Sequence, residues 1–150
     1  MSHSSAADIA HLIQLAVAPV FLLAGIGSIL NVLAQRLARV VDRARSIERD
    51  FERLEGIARE RAVGELRVLD LRMRTVNAAI TFCTASALFV CLVVAILFVA
   101  DLTDFAFARP IAWLFIAAML LLIVGLFFFL REIRVATRSV RVRRELLPPE

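Results

Sequence analysis

Residues 75–100 read TVNAAITFCTASALFVCLVVAILFVA, a run of 26 residues without a single Asp, Glu, Arg or Lys. Two further runs of this kind, of 27 and 21 residues, occupy 9–35 and 110–130. A helix of about 20 mostly apolar residues is long enough to cross the hydrocarbon core of a bilayer. The sequence therefore predicts an all-α membrane protein whose three transmembrane helices lie at about these three runs.

The composition agrees with this prediction. Apolar residues make up 61% of the chain, against roughly 45–50% in soluble domains. The charged residues are collected in blocks between the apolar runs, as they are in proteins that leave and re-enter a membrane. At 150 residues, the chain is predicted to form a single membrane domain.

The arginines predict the orientation. All 18 basic residues are Arg; eleven lie in 36–74, six lie in 131–150, and one lies between the second and third runs. Short basic loops remain on the cytoplasmic side of a membrane. We therefore expect the N-terminus outside and the C-terminus in the cytoplasm, with 36–74 and 131–150 both cytoplasmic.

Residues 36–74 continue a helical pattern beyond the first run. Apolar residues recur at steps of three and four on both sides of a break near 55–61, which is the spacing of a two-stranded coiled coil. These positions are Leu37, Val40, Val41, Ala44, Ile47, Phe51 and Leu54 before the break, and Val63, Leu66, Leu69, Met73 and Val76 after it. Gly56 is expected to cap the first helix. The pattern predicts a cytoplasmic antiparallel helical hairpin at 36–74. A helical basic tail is predicted at 131–150, ended by Pro148 and Pro149.

The first run is the most polar of the three, with Gln14, Ser28, Asn31 and Gln35 along it. Polar side chains associate helices in lipid, because apolar residues gain nothing by leaving it. We therefore expect this span to be central in a homo-oligomer. The stripe either fixes the packing of neighbouring helices or lines a water-filled pore, and both alternatives stay open. Pro19 predicts a kink, or a break at which the true spanning helix begins.

The other two spans differ in polarity. Asn77, Thr81 and Thr84 share one face of the second span, because residues four and three apart lie on the same side of a helix. This face is expected to meet the polar face of the first span. The third span has no strongly polar residue other than Trp113. We expect it to face lipid.

Arg36, Arg39, Arg43 and Arg45 follow the first run directly, with Asp42 among them. A basic residue next to a membrane is attracted to an anionic surface by about 1 kcal/mol. This cluster is a candidate contact for anionic lipid headgroups or another phosphate-bearing ligand. Simple anchoring of the helix end at the membrane surface accounts for the same residues.

The sequence offers no constellation for catalysis, which needs a nucleophile, a base and an electrophile in one place. Cys83 and Cys91 lie within the second run, and His3 and His11 lie at the opposite side of the membrane from the arginines. We expect no enzymatic activity, no cofactor and no metal site. Because the interleaved aromatic and basic residues of nucleic-acid-binding folds are absent, we expect no nucleic-acid partner.

The most distinctive pattern of the sequence lies around the end of the first run. Residues 18–27 read APVFLLAGIG, 30–33 read LNVL and 36–45 read RLARVVDRAR. This pattern resembles the domain-of-unknown-function family numbered 2721, and the resemblance extends over roughly 10–130. It implies a three-span protein of the bacterial inner membrane and supplies no activity.

Two classes of function are consistent with these features. The first is a structural, regulatory or accessory membrane protein whose hairpin binds a cytoplasmic protein partner or anionic lipid. The alternative is a homo-oligomeric ion channel or pore lined by the first span. The solvent accessibility of Ser28 and Gln35 distinguishes them.

Overall fold

A computed structural model describes the backbone of residues 6–103 and 108–141, and the side chains of 13–100 and 109–135. Three helices form nearly all of it: α1 is Ala6–Asp50, α2 is Gly56–Thr103 and α3 is Ala108–Arg141. A 3-10 turn, Phe51–Arg53, follows α1. The described part of the chain is therefore all-helical, which confirms the all-α part of the predicted fold class. The predicted helix end at Pro148 and Pro149 lies outside the described residues.

All three helices are long and apolar enough to cross a membrane, over Ile13–Arg53, Gly56–Ala100 and Arg109–Val135. They are also longer than a membrane requires. The 45 residues of α1 extend about 68 Å at 1.5 Å per residue, more than twice the thickness of about 30 Å of a hydrocarbon core. Parts of α1 and α2 must therefore lie outside any bilayer that they cross.

α1 continues without interruption through Pro19 and begins at Ala6. This finding corrects the alternative in which the spanning helix begins at Pro19. Proline removes only the one N–H that would bond to the carbonyl of Leu15. In a helix of this length, the hydrogen bonds on both sides maintain the helical path.

The connection between α1 and α2 comes earlier in the chain than predicted. α1 ends at Asp50, and Leu54 is extended, with its N–H donating to the carbonyl of Phe51 at 3.3 Å. Gly56 has a φ of +54° and opens α2 instead of capping α1. The expected break at 55–61 is thus corrected to 51–55. Glycine adopts this left-handed conformation at little cost, because it has no Cβ.

The chain forms two compact units, each with segments of all three helices. Among the described residues, the first unit comprises 6–30, 82–103 and 108–123, and the second comprises 31–81 and 124–141. In the first unit, α2 buries Cys83, Ser86, Val90 and Val93, whose steps of three and four place them on one face. The hydroxyl of Ser86 donates to the carbonyl of Ala118 on α3 at 2.7 Å.

The core of the second unit lies between α1 and α2. It contains Val40, Ala44, Ile47, Ala62 and Leu69, with Phe51, Leu54, Leu66 and Met73 packed against it. Most of these are the apolar positions that the sequence singled out, although Ala62 is buried where Val63 was expected. The Arg43–Glu65 ion pair (2.7 Å) and the contact of Arg59 with the Phe51 ring (4.9 Å) show that the two helices run antiparallel here. The cytoplasmic location of this pair stays a prediction.

The polar face of α2 does not meet α1 as expected. Asn77, Thr81 and Thr84 are all exposed on the single chain. The hydroxyl of Thr81 donates to the carbonyl of Asn77 within its own helix, at 2.9 Å. Apolar residues such as Val76 and Ala79 occupy the buried face of α2 instead.

Candidate functional site: an arginine cleft beside a buried glutamate

Glu132 of α3 has a fully buried side chain and accepts hydrogen bonds from two other helices. Its Oε1 accepts from Nη2 and Nε of Arg72 on α2, at 2.7 and 3.3 Å. Its Oε2 accepts from Nη1 of Arg36 on α1, at 3.1 Å. One carboxylate therefore joins α1, α2 and α3 in the second unit.

Each of these three charged residues lies just outside one of the three uncharged runs. Arg36 directly follows the first uncharged run, Arg72 lies just before the second, and Glu132 lies just after the third. A buried carboxylate without a partner is strongly unfavourable, because it loses its hydration. Here each carboxylate oxygen has a guanidinium partner, and both arginines stay partly exposed, at 32% and 21% of their side chains. The cluster is therefore a satisfied ion triad with a net charge of +1.

The same two arginines line a cleft of about 260 Å³ together with Arg39 and Arg43. We call it the arginine cleft. Val40 and Leu69 contribute its apolar lining. The cleft therefore brings four guanidinium groups from α1 and α2 around one small space.

The partners of these four arginines leave the cleft positively charged. Glu132 bonds to Arg36 and Arg72, and Glu65 bonds to Arg43 at 2.7 Å. Arg39 is exposed and has no ion-pair partner among the side chains that the structure describes. Four positive charges against two negative ones give an excess of +2.

Three of the four arginines predicted to contact anionic lipid line this cleft. Arg45 does not; it lines a separate shallow cleft with Asp42, Glu48 and Arg49, which we call the mixed-charge cleft. Contact with lipid stays a prediction for all four arginines.

Two residues of the site, Arg72 and Glu132, were not singled out from the sequence. The sequence feature that could have revealed Glu132 is its position: it is an acidic residue two positions after an uncharged run, where basic residues otherwise dominate.

The predicted polar stripe of α1 is exposed along its length. Gln14, Ser28, Asn31 and Gln35 are all exposed on the single chain. The hydroxyl of Ser28 donates to the carbonyl of Ala24 at 3.1 Å, and Nε2 of Gln35 donates to Oδ1 of Asn31 at 3.5 Å. These hydrogen bonds stay within α1. The stripe therefore remains available to a neighbouring molecule or to water.

Among the described side chains, no group of three or more His, Cys, Asp or Glu is arranged to hold a metal ion. His3 and His11 lie outside that range, so the expected lack of a metal site stays a prediction. Cys83 is buried and Cys91 is exposed, and both are free thiols.

Three helices that are each able to span a membrane, with charged residues collected beyond their apolar runs, indicate a membrane protein. The chain belongs to the family DUF2721, described as proteins of unknown function, whose model matches residues 16–142. This match confirms the family resemblance carried by residues 18–45. Comparisons with curated proteins and with solved structures give no significant match.

Proposed function

We propose that this chain is a structural or accessory protein of the bacterial inner membrane that binds a cytoplasmic protein partner through its helical hairpin, 36–74. The proposed topology places the N-terminus outside and the hairpin and basic tail in the cytoplasm, because 17 of the 18 arginines then lie on the cytoplasmic side. We also propose that it has no catalytic activity.

An exposed apolar stripe on the hairpin is the observation that carries this proposal. Ile57, Val68 and Leu71 of α2 are 69%, 46% and 50% exposed. With exposed Gly64, they recur at steps of seven, four and three, and so share one helix face. That face lies about 150° around α2 from Ala62, Leu66 and Leu69, which pack against α1. Exposed apolar residues on one helix face beyond the predicted spans support a surface for a protein partner.

The base of the hairpin is suited to a docking element. Glu132 joins α1, α2 and α3 at Arg36 and Arg72, at the opposite end of the hairpin from the turn at 51–55. Partners bind more tightly to a surface that is already ordered, because less conformational entropy is lost on binding. The triad therefore supports a hairpin that is pre-formed before it meets its partner.

Site-specific photo-crosslinking in native membranes tests this proposal. A photoreactive residue at Val68 is expected to form an adduct whose mass is not a multiple of the 16.7 kDa chain. The added Leu71→Glu substitution is expected to abolish that adduct. The control position is Asp70, which is exposed and bonded to Arg74 on a different face. Adducts of equal yield at Val68 and Asp70, or adducts of this chain alone, would contradict the proposal.

The second candidate function is a homo-oligomeric pore or channel lined by α1, favoured by the exposed polar stripe. Polar groups facing lipid are costly, and another copy of α1 would cover them. Gln14, Ser28 and Gln35 of the stripe lie at multiples of seven positions, and so do the buried residues Ile26, Leu33, Val40 and Ile47. Their offset of two residues places them about 200° apart, so α1 is able to contact its own chain and a second copy at once.

Cysteine accessibility separates the pore from simple packing. In a variant with Cys83 and Cys91 replaced by Ala, cysteines at Ser28 and Gln35 are expected to react with water-soluble thiol reagents if a pore exists. They are expected to be protected if the stripe only packs. A cysteine at the buried Leu33 is the negative control, and one at the exposed Glu52 is the positive control.

A further inference from the structure

We propose that the arginine cleft binds one phosphate group, supplied by the headgroup of an anionic phospholipid. The inference rests on the proposed topology for the source of the phosphate. The conclusion that the ligand is a phosphate depends only on the geometry of the cleft.

The buried carboxylate prepares two of the four guanidinium groups for a ligand. Glu132 holds Arg36 and Arg72 by hydrogen bonds of 2.7–3.3 Å. A guanidinium has five N–H donors in one plane, so one shared carboxylate cannot use all the donors of two arginines. The remaining donors have the planar geometry that matches pairs of phosphate oxygens. Because both side chains are already fixed, binding costs little of their conformational entropy.

The charge of the cleft matches a phosphate. Arg36, Arg39, Arg43 and Arg72 carry four positive charges, against the carboxylates of Glu65 and Glu132. The excess charge of +2 is similar in magnitude and opposite in sign to the charge of a phosphate monoester, which is about −1.5 to −2 at neutral pH. A diester headgroup, with a single negative charge, neutralises only half of it. We therefore expect phosphatidic acid to bind more tightly than phosphatidylglycerol.

The size of the cleft favours a small anionic group. Its volume of about 260 Å³ lies just below the range of roughly 300–1,000 Å³ that is typical of small-molecule sites. It also exceeds several-fold the share of about 30 Å³ that one water molecule takes in the liquid. A headgroup phosphate with its bound waters fits this space.

The position of the cleft along α1 favours a lipid as the source. Arg36 immediately follows the uncharged run 9–35, and Arg43 lies seven residues later, about 10 Å along the helix axis. The headgroup layer of one leaflet extends about 5–8 Å beyond the hydrocarbon core. Arg36, Arg39 and Arg72, which lie within three or four residues of the uncharged runs, therefore lie at the height of the lipid phosphates, and Arg43 lies just beyond them. The guanidinium of Arg36 also lies 5.6 Å from the centre of the Phe129 ring, and aromatic residues are common at this level.

The test compares two pairs of arginines on α1, one pair from each cleft. Arg39→Gln with Arg43→Gln removes two charges from the arginine cleft and leaves the ion triad intact. Arg45→Gln with Arg49→Gln removes two charges from the mixed-charge cleft. Each double variant is reconstituted in nanodiscs of phosphatidylcholine. Native mass spectrometry then measures the binding of short-chain phosphatidic acid, short-chain phosphatidylglycerol and inorganic phosphate.

We expect the cleft variant to bind phosphatidic acid about 30-fold more weakly than the unchanged chain, and the control variant to bind it as the unchanged chain does. Equal losses in both variants, or no binding to the unchanged chain, would overturn the proposal. Inorganic phosphate that binds as tightly as the lipid would overturn the lipid source. The crosslinking test at Val68 is independent of these arginines, so failure here and failure of the proposed protein partner are distinguishable.

Discussion

Glu132 joins three helices of the second unit, because its carboxylate is buried and bonded to two helices besides its own. We predict that Glu132→Gln destabilises the protein by about 3 kcal/mol, since the neutral amide leaves two neighbouring guanidinium groups without their counter-charge. Thermal unfolding in detergent, followed by circular dichroism, measures the effect.

Asp70→Asn is the matched control for this substitution. It removes the same charge from an exposed pair with Arg74, at 3.0 Å, and such pairs contribute less than about 1 kcal/mol. A Glu132→Gln variant that unfolds at the same temperature as the Asp70→Asn variant would show that the triad adds nothing to stability.

Two serines allow a second comparison at the residue scale. Ser86 is buried, and its hydroxyl bonds across to Ala118 of another helix, whereas Ser28 is exposed and bonds only within α1. Loss of a hydrogen bond between membrane helices costs about 1 kcal/mol. We predict that Ser86→Ala lowers the unfolding temperature and Ser28→Ala leaves the stability of a single chain unchanged. Equal effects in unfolding experiments would contradict this assignment.

At the scale of the helices, two glycines of α2 are predicted to respond to alanine with opposite signs. Gly56 has a φ of +54°, a conformation in which a Cβ costs roughly 1–2 kcal/mol. Gly64 lies within the helix, and a Cβ there would meet no other atom within 4 Å. Gly64→Ala is therefore expected to stabilise the helix by about 0.5–1 kcal/mol, and Gly56→Ala to destabilise the turn. Unfolding temperatures that shift in the same direction would be inconsistent with the left-handed φ at Gly56.

The same scale shows why the helices were easier to predict than their ends. Each uncharged run extends over more than 20 residues, and the seam around Val40, Ile47 and Leu69 recurs over several helical turns. A change at any one residue would therefore leave the prediction of the helices unchanged. The turn at 51–55 depends on single residues, and Gly56 is compatible with either end of a connection. The hairpin was therefore predicted with its seam nearly right and its turn several residues too late.

At the scale of the whole molecule, we expect a homo-oligomer in which copies of α1 cover one another's polar stripe. Light scattering in detergent, with the detergent contribution subtracted, is expected to give a multiple of the 16.7 kDa chain. Four or more copies are needed for the pore, because one or two chains do not easily enclose a path with three helices each. Ser28→Leu combined with Gln35→Leu is expected to lower the mass, since both side chains would lose their interhelical role. A monomer or a dimer, or an unchanged mass in the double variant, would remove the basis for the pore.

The sequence by itself determined the three long helices, the family and the apolar seam between α1 and α2, because each rests on the length or the repeat of a local pattern. It also determined that Arg36, Arg39 and Arg43 share one face of α1, since residues three and four apart lie on the same side of a helix. Only the tertiary structure decided that Glu132 bonds to Arg36 and Arg72, across separations of 96 and 60 residues. Partners this distant in sequence meet only when each helix has a particular rotation and register, and side-chain packing sets both. For the same reason, the structure included Arg72 in the arginine cleft and placed Arg45 in the mixed-charge cleft, although Arg45 is the nearer of the two to Arg43 in the sequence.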